Sequence, residues 1–151
     1  MRHSRIGRHR LRSARGVELI EFALVLPVLL FVVTGIFDFG FLFQRYEVVI
    51  NAAREGARLK SLPVTSTTAD IQARVAAYLT GAGLDPSLAT TAVNTVAIPV
   101  NQAGTVTANG NQVLVQYPYQ FRCLSPIASF FGGSFGTVTL SGSAMMRSEL
   151  L

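Results

Sequence analysis

A glutamate, Glu21, stands at the entrance of an apolar run, in the stretch RSARGVELIEFALVLPVLL. An ionised carboxylate at the edge of a membrane is costly, and it persists where a partner offsets the cost. No basic residue follows it within the run, and Arg15 precedes it by six residues. Cleavage after Gly16 would supply another partner, because Val17 would then carry a free, positively charged amine. In a helical assembly, this amine could neutralise Glu21 of a neighbouring subunit.

The other residues that could do chemistry do not combine into an enzyme site. Both histidines, His3 and His9, lie in the first sixteen residues, so the rest of the chain lacks a His-based triad and most metal sites. Asp70 and Asp85 are the only acids of the C-terminal region before its last three residues, and helix caps and turns explain both. Cys123 is the only cysteine, so no disulfide forms within the chain. We therefore predict no enzyme activity, no metal site and no cofactor.

The positive charge is concentrated at the N-terminus. The formal net charge is +5, but from Val17 onward seven Lys and Arg residues oppose eight Asp and Glu residues. This distribution indicates membrane topology, since basic flanks of a span stay in the cytoplasm. It argues against nucleic acid as a partner, because the basic tract abuts the apolar run and has no Phe, Tyr or Trp to stack on bases. The basic residues that precede Gly16 are Arg2, Arg5, Arg8, Arg10, Arg12 and Arg15.

The apolar run from Phe22 to Phe43 predicts a transmembrane segment. It has 22 residues with one acid, Asp38, near its far end, and a bilayer core needs about 20. With residues 1–16 as a basic leader in the cytoplasm, the C-terminal region faces the other side of the membrane. A cleaved secretory signal is the competing interpretation. Residues 35–45, GIFDFGFLFQR, are bulky and lack a small-residue cleavage site, which favours a retained helix.

A single helix is predicted to continue beyond the membrane, over residues 17–60. Ser61-Leu62-Pro63 stops it, because the residue before a proline avoids the helical conformation. The 44 residues of such a helix span about 66 Å. Pro27 lies within it and removes one backbone hydrogen bond, which is compatible with a simple kink and with a functional hinge.

The C-terminal region, residues 61–151, predicts a small α+β domain packed on the outer part of the long helix. Thr67 and Asp70 can cap one short helix. A small antiparallel sheet of about four strands follows, and Asn109-Gly110 is a strong signal for a hairpin turn between two of them. The apolar loop 130–135 is compatible with a place in the core and with a surface that contacts a partner or the bilayer. The predicted strands are Thr91–Val100, Thr105–Ala108, Gln112–Phe121 and Gly136–Met146.

The N-terminal segment resembles prepilins of the Tad (Flp) branch of type IV pili. Gly16 to Phe22 has their pattern of a glycine, four residues, a glutamate and an aromatic residue. The longer segment 15–58 resembles TadE-like pseudopilins, with a Glu-Phe-Ala core, a Leu-Pro step, an acid three residues after Gly35 and the ending AAREGAR. The C-terminal LSGSAMMRSE resembles such proteins more weakly, and residues 61–135 carry no family signal.

The resemblance implies a precursor that a prepilin peptidase of the inner membrane cleaves between Gly16 and Val17. By the same resemblance, Gly16 is needed for cleavage, Glu21 for cleavage or for docking between subunits, and Phe22 completes the motif. The major Flp pilin is much shorter and usually has tyrosine at that last position, so the resemblance favours a minor pilin, or pseudopilin.

Such a subunit is held in the inner membrane, with its N-terminus in the cytoplasm and its C-terminal domain outside, and after assembly it enters the extracellular pilus. The resemblance implies a part in initiating the pilus, at its tip or along the filament, for surface adhesion. The implied partners are the prepilin peptidase, other pilins or pseudopilins through the N-terminal helix, the assembly platform of the inner membrane, and membrane lipid.

Two other functions share some of these features. A membrane-anchored enzyme outside the cytoplasm is disfavoured by the residues available for catalysis. A signal-anchored adhesion or sensor module needs the same membrane span but neither Gly16 nor Glu21. Substitution of these two residues therefore separates it from a pilin-like subunit.

Overall fold

One long helix and a small sheet make up most of the computed structural model, which describes residues 9–62, 66–99, 107–130 and 132–147. The sheet is antiparallel with the order β1-β2-β3. The α+β class with a long N-terminal helix is confirmed, with three strands in the described residues where about four were predicted. In chain order the elements are α1 (His9–Ser61), α2 (Thr68–Gly81), a 3-10 turn (Pro86–Leu88), β1 (Thr90–Pro99), β2 (Thr107–Tyr119), α3 (Leu124–Phe130) and β3 (Val138–Arg147).

Helix α1 is continuous over 53 residues, which corresponds to a length of about 80 Å. It contains the whole of the predicted helix 17–60 and ends at Ser61, where the sequence before Pro63 predicts a stop. The helix continues through Pro27. One continuous helix therefore connects the predicted membrane segment to the C-terminal domain.

Helix α2 begins with the predicted cap. The Thr67 hydroxyl accepts a hydrogen bond from the Asp70 backbone N–H at 3.2 Å, and the Thr67 backbone N–H donates to the Asp70 carboxylate at 2.8 Å. This reciprocal capping box satisfies two backbone donors that the first turn leaves without partners. The helix buries Ile71, Val75 and Leu79, one residue per turn, against α1 and the sheet.

The predicted hairpin turn at Asn109-Gly110 is wrong. Both residues lie inside β2, where they pair with Ala97 and Val96 of β1. Gly110 serves packing here, because a Cβ atom at this position would collide with the side chain of Ile98. The two strands predicted on either side of the pair are therefore one strand, and the connection from β1 to β2 falls outside the described residues.

Pro118 occupies a local edge of the sheet, as its type predicts. Although β2 is the central strand, its pairing with β1 ends where Gln116 faces Thr90. Beyond that point β2 pairs with β3 alone, and Pro118 faces Thr139. A proline is tolerated there because the neighbouring edge is free.

The core forms where the sheet and α2 pack on the outer half of α1. Helix α1 contributes small residues at this contact, among them Ala52, Ala53 and Gly56, which are buried. Strand β3 approaches so closely that a Cβ atom at Gly142 would lie 2.8 Å from the Val49 carbonyl oxygen. The buried apolar cluster comprises Val49, Ala52, Ala53, Ala57, Ile71, Val75, Leu79, Leu84, Val113, Val115, Tyr117, Tyr119 and Leu140.

Candidate membrane and assembly site

The predicted processing motif lies on an exposed stretch of α1. Gly16, Val17, Glu21 and Phe22 are all exposed, with Val17 and Phe22 at 62% and 60% of their full surface. Among the residues that the structure describes, no hydrogen bond or ion pair involves the Glu21 carboxylate. The fold therefore brings these residues together only as one helical segment, and no other described part of the chain covers them.

The same part of α1 carries a large apolar surface. Between Val17 and Phe37 every large apolar side chain is 41% to 73% exposed. Within Gly16–Ser61, an 18-residue window reaches a mean hydropathy of 2.6, and none of it is buried. By length and composition this helix can cross a membrane, and its position near the N-terminus fits a single-pass anchor of a pilin. Thr34, the one hydroxyl of the segment, donates to the Leu30 carbonyl at 2.8 Å, so it needs no outside partner.

Pro27 lies at an exposed position inside this segment. Because proline has no N–H, the carbonyl of Ala23 lacks its usual helical partner. The predicted kink or hinge at this position stays a prediction, since the helix continues on both sides of Pro27.

Asp38 is the residue of the apolar run to which the fold gives a partner. Its side chain is fully buried and accepts four hydrogen bonds from backbone N–H groups. Oδ1 accepts from Arg122 at 3.0 Å and Cys123 at 3.1 Å, and Oδ2 accepts from Cys123 at 3.0 Å and Leu124 at 2.7 Å. Since α3 begins at Leu124, a carboxylate of α1 caps the first turn of α3 and satisfies donors that this helix leaves without partners.

Tyr119, at the end of β2, joins the same contact. Its hydroxyl donates to the main-chain carbonyl of Asp38 at 3.0 Å, and the Arg45 guanidinium lies 5.5 Å from the centre of its ring. Burial, and next the nearby Asp38 charge, raises the pKa of the Tyr119 hydroxyl above its usual 10.0. The hydroxyl thus stays protonated and can donate, which joins the end of β2 to α1 beside the α3 cap.

Sequence reasoning missed the role of Asp38, which it treated as the acid that interrupts the run and as one feature of the family resemblance. A signal was present, because no basic residue lies within six positions of this acid on either side. An acid in an apolar helix without a local cation indicates a partner elsewhere in the fold or in an assembly. The sequence could not identify that partner, since the three N–H groups lie more than eighty residues away.

The remaining acids considered for chemistry stabilise local backbone. Asp70 belongs to the capping box of α2, and the Asp85 carboxylate accepts from the Ser87 N–H at 2.9 Å at the start of the 3-10 turn. Cys123 is a free, partly buried thiol. Among the described ranges, no three His, Cys, Asp or Glu side chains come together as a metal site.

Comparison with known protein families shows where the chain has relatives. Residues 16–58 match the family described as TadE-like protein. This segment is under a third of the chain, starts at Gly16 and ends near the close of α1. No curated protein and no solved structure matches the chain. The family match confirms the resemblance seen in the sequence, and it supports a pilin-like, non-enzymatic role associated with the Tad pilus.

Proposed function

We propose that this protein is a minor pilin-like subunit of a Tad pilus, processed by a prepilin peptidase and assembled through α1. One observation carries the proposal: the family match begins at Gly16 and covers the part of α1 that holds Glu21 and the exposed apolar surface. A pilin needs a cleavable leader, a membrane helix and a domain beyond it. We assign these roles, in that order, to residues 1–16, the first half of α1, and residues 61–151.

Processing between Gly16 and Val17 is the first step of the proposed function. Space around Gly16 supports it, because a Cβ atom built there meets no atom within 4 Å outside the helix backbone. The glycine is therefore not required by packing against the part of the chain that the structure describes. Its presence is explained if a peptidase reads this position.

Docking through Glu21 is the second step. After cleavage, Glu21 is the fifth residue of the mature chain, one helical turn from the new amine at Val17. Neither the carboxylate nor the apolar side chains around it are covered by the described domain. Burial of this surface against neighbouring helices gives the hydrophobic contribution to assembly, and an amine of one subunit neutralises Glu21 of the next.

In the membrane, before assembly, we place the N-terminus in the cytoplasm and the domain on the outer side. The basic leader supports this orientation by the positive-inside rule. The peptidase, other pilins or pseudopilins, the inner-membrane platform and lipid are the partners of these steps. Incorporation at the tip, at initiation or along the filament then presents residues 61–151 to the surroundings, consistent with surface adhesion.

The test is the N-terminus and intact mass of the membrane-extracted protein, expressed with and without a prepilin peptidase. We expect a chain that starts at Val17 only when the peptidase is present. The variant Gly16→Leu should keep its leader under both conditions. A start at Met1 under both conditions would leave a signal-anchored adhesion or sensor module, and a start beyond Asp38 would indicate an ordinary secretory signal.

A pair of substitutions tests the docking step. In cells with a complete Tad system, Glu21→Ala should insert in the membrane but enter pili poorly, because its neighbour's amine loses its partner. Glu18→Ala is the matched control, since Glu18 is another exposed acid one turn earlier that the motif does not require. Equal incorporation of the two variants would contradict a docking role for Glu21.

A further inference from the structure

An apolar groove lies where the C-terminal domain meets the membrane half of α1. Its volume is about 670 Å³. One wall is a stripe of α1 between Phe31 and Phe43, and the other consists of Phe121, Leu124 and Phe135. Among the described residues, no charged side chain lines it. Such a lining offers water few hydrogen-bond partners, so the groove favours an apolar occupant.

An aromatic chain connects the two walls at one end. Phe135 lies 6.3 Å from Phe31 and 5.6 Å from Phe121, measured between ring centres, and Phe39 lies 6.4 Å from Phe121. Phe135 nevertheless keeps 39% of its surface exposed. The loop that carries it, residues 132–137, thus extends along α1 towards the N-terminus, past Asp38, without closing the groove.

The length of α1 sets the depth of this groove in the membrane. The exposed apolar segment 17–37 is about 31 Å long at 1.5 Å per residue, and a hydrocarbon core is about 30 Å thick. A span over these residues ends just before Asp38, and the exposed Phe39, Phe41 and Phe43 of the predicted span 22–43 then lie at the membrane surface. Phe31 then lies about 9 Å inside the outer boundary, and interfacial segments insert about 5 to 10 Å.

Several backbone N–H groups on both sides of α3 find their partners within the chain. Asp38 satisfies the N–H groups of three successive residues, Arg122 to Leu124. At the other end of α3, Gly132 donates to the Ser129 carbonyl at 3.1 Å and Gly133 to the Ala128 carbonyl at 2.8 Å. An N–H without a partner is costly in lipid, and these hydrogen bonds remove that cost for the residues that make them.

Basic side chains stand next to the groove where phosphate groups would lie. Arg45 and Arg122 line one cleft together with Tyr117 and Gln120. Arg45 is the first basic residue of α1 after the apolar segment, and Arg122 is exposed. Long basic side chains and tyrosines at such a level extend to lipid headgroups.

We propose that the tip formed by α3 and residues 132–137 inserts into the outer leaflet, and that an acyl chain of a membrane phospholipid fills the groove. The proposal rests on the single-pass anchor of the proposed function but not on processing or pilus assembly. The domain would thus be held against the membrane by two contacts, the helix and the tip, until assembly withdraws it.

Tryptophan fluorescence tests the proposal, because the natural chain contains no Trp. Phe135→Trp is made in the full-length chain and reconstituted in vesicles of phosphatidylethanolamine and phosphatidylglycerol. Emission is measured with lipids brominated on their acyl chains and with acrylamide in the water. Tyr78→Trp is the matched control, since Tyr78 is 38% exposed, like Phe135, but lies on α2 away from the groove.

We expect brominated lipid to remove most of the emission of Phe135→Trp and little of that of Tyr78→Trp, and acrylamide to do the reverse. If acrylamide quenches both variants equally, the tip stands above the bilayer and the proposal fails. If neither quencher reaches the tryptophan of Phe135→Trp, protein such as a second copy fills the groove, and the assignment to lipid is also wrong.

Two further variants keep the test decisive. Phe121→Trp places the reporter on the same wall of the groove, and the same criteria apply to it if Phe135→Trp unfolds. Val28→Trp reports on the anchor, since Val28 lies in the middle of the apolar segment and is 64% exposed. If brominated lipid leaves Val28→Trp unquenched, the membrane anchor of the proposed function is wrong, whereas quenching of Val28→Trp alone contradicts only the inserted tip.

Discussion

Between Val17 and Phe37, α1 presents large apolar side chains to its surroundings, whereas between Asp38 and Ser61 the sheet and α2 cover one face of the same helix. The covered half has mainly small residues at its contact, Ala52, Ala53, Gly56 and Ala57 beside Val49, and the uncovered half has Leu, Val, Ile and Phe. Small residues let a sheet approach closely, and large ones supply apolar area to a membrane or to other helices. One helix is thus built for two different neighbours.

The acids of the two halves show the same difference. Asp38 is buried and accepts four backbone hydrogen bonds from within the chain, while Glu21 is exposed and has no partner among the described residues. The described part of the fold supplies hydrogen-bond donors to the Asp38 carboxylate and none to the Glu21 carboxylate. Substitutions in the two halves should therefore have different readouts, the stability of the domain in one case and assembly in the other.

The largest effect on stability is expected for Asp38→Ala. It leaves three N–H groups without this acceptor, one in a buried hydrogen bond and two in partly buried ones, so we expect the free energy of unfolding of the domain to fall by about 3 kcal/mol. Chemical denaturation of the detergent-solubilised protein, followed by circular dichroism, measures this loss. Asp38→Asn keeps one oxygen acceptor and should lose less. A loss below about 1 kcal/mol for Asp38→Ala would mean that the cap matters little.

Gly142→Ala should be the next most damaging. The added Cβ would lie 2.8 Å from the Val49 carbonyl oxygen and 2.9 Å from backbone atoms of Ile50, and a helix backbone cannot move aside cheaply. We expect β3 to be pushed from α1 at a cost of about 2 kcal/mol, measured in the same way. Gly81→Ala is the control, because nothing lies within 4 Å of its Cβ position. Equal stability of the two variants would contradict the close packing of β3 on α1.

A smaller effect is expected for the ion pair between Glu55 and Arg74. The hydrogen bond from Arg74 is the main cause that lowers the pKa of the Glu55 carboxyl below its usual 4.5. Since the folded-state pKa is the lower one, the pair stabilises above pH 4.5, and this contribution disappears as the pH falls through the folded-state value.

Glu55→Gln should therefore lower the free energy of unfolding by about 0.5 kcal/mol at pH 7, because Arg74 is half exposed. At a pH below the folded-state pKa of Glu55, it should lower this free energy by almost nothing. Denaturation curves of the natural chain and the variant at both pH values provide the check. A difference that is as large in acid as at pH 7 would rule out the ion pair as its source.

The smallest effect on stability is expected for Glu21→Ala. Its carboxylate contacts no described part of the domain, so the unfolding curve should match that of the natural chain, in contrast to Asp38→Ala. Any clear loss of domain stability in Glu21→Ala would mean that this residue supports the fold, and the contrast between the two acids would disappear.

The pair Asn109-Gly110 shows where a local sequence rule failed. Asn109-Gly110 has the composition of a hairpin turn, but Ile98 of the neighbouring strand needs the space that a side chain at Gly110 would occupy. By contrast, the capping box of Thr67 and Asp70 was predicted correctly, since all of its atoms lie within one turn of the same helix.

The sequence by itself determined the features that depend on neighbours along the chain. The apolar run and the apolar periodicity that follows it specify α1, Pro63 specifies its end, and the glycine-to-glutamate spacing specifies the candidate processing motif. Tertiary structure alone decided which acid of α1 is satisfied internally, because the N–H groups that surround Asp38 come from residues 122–124. It also decided that Phe135 lies beside Phe31, since such contacts join segments whose separation along the chain carries no information about their distance in space.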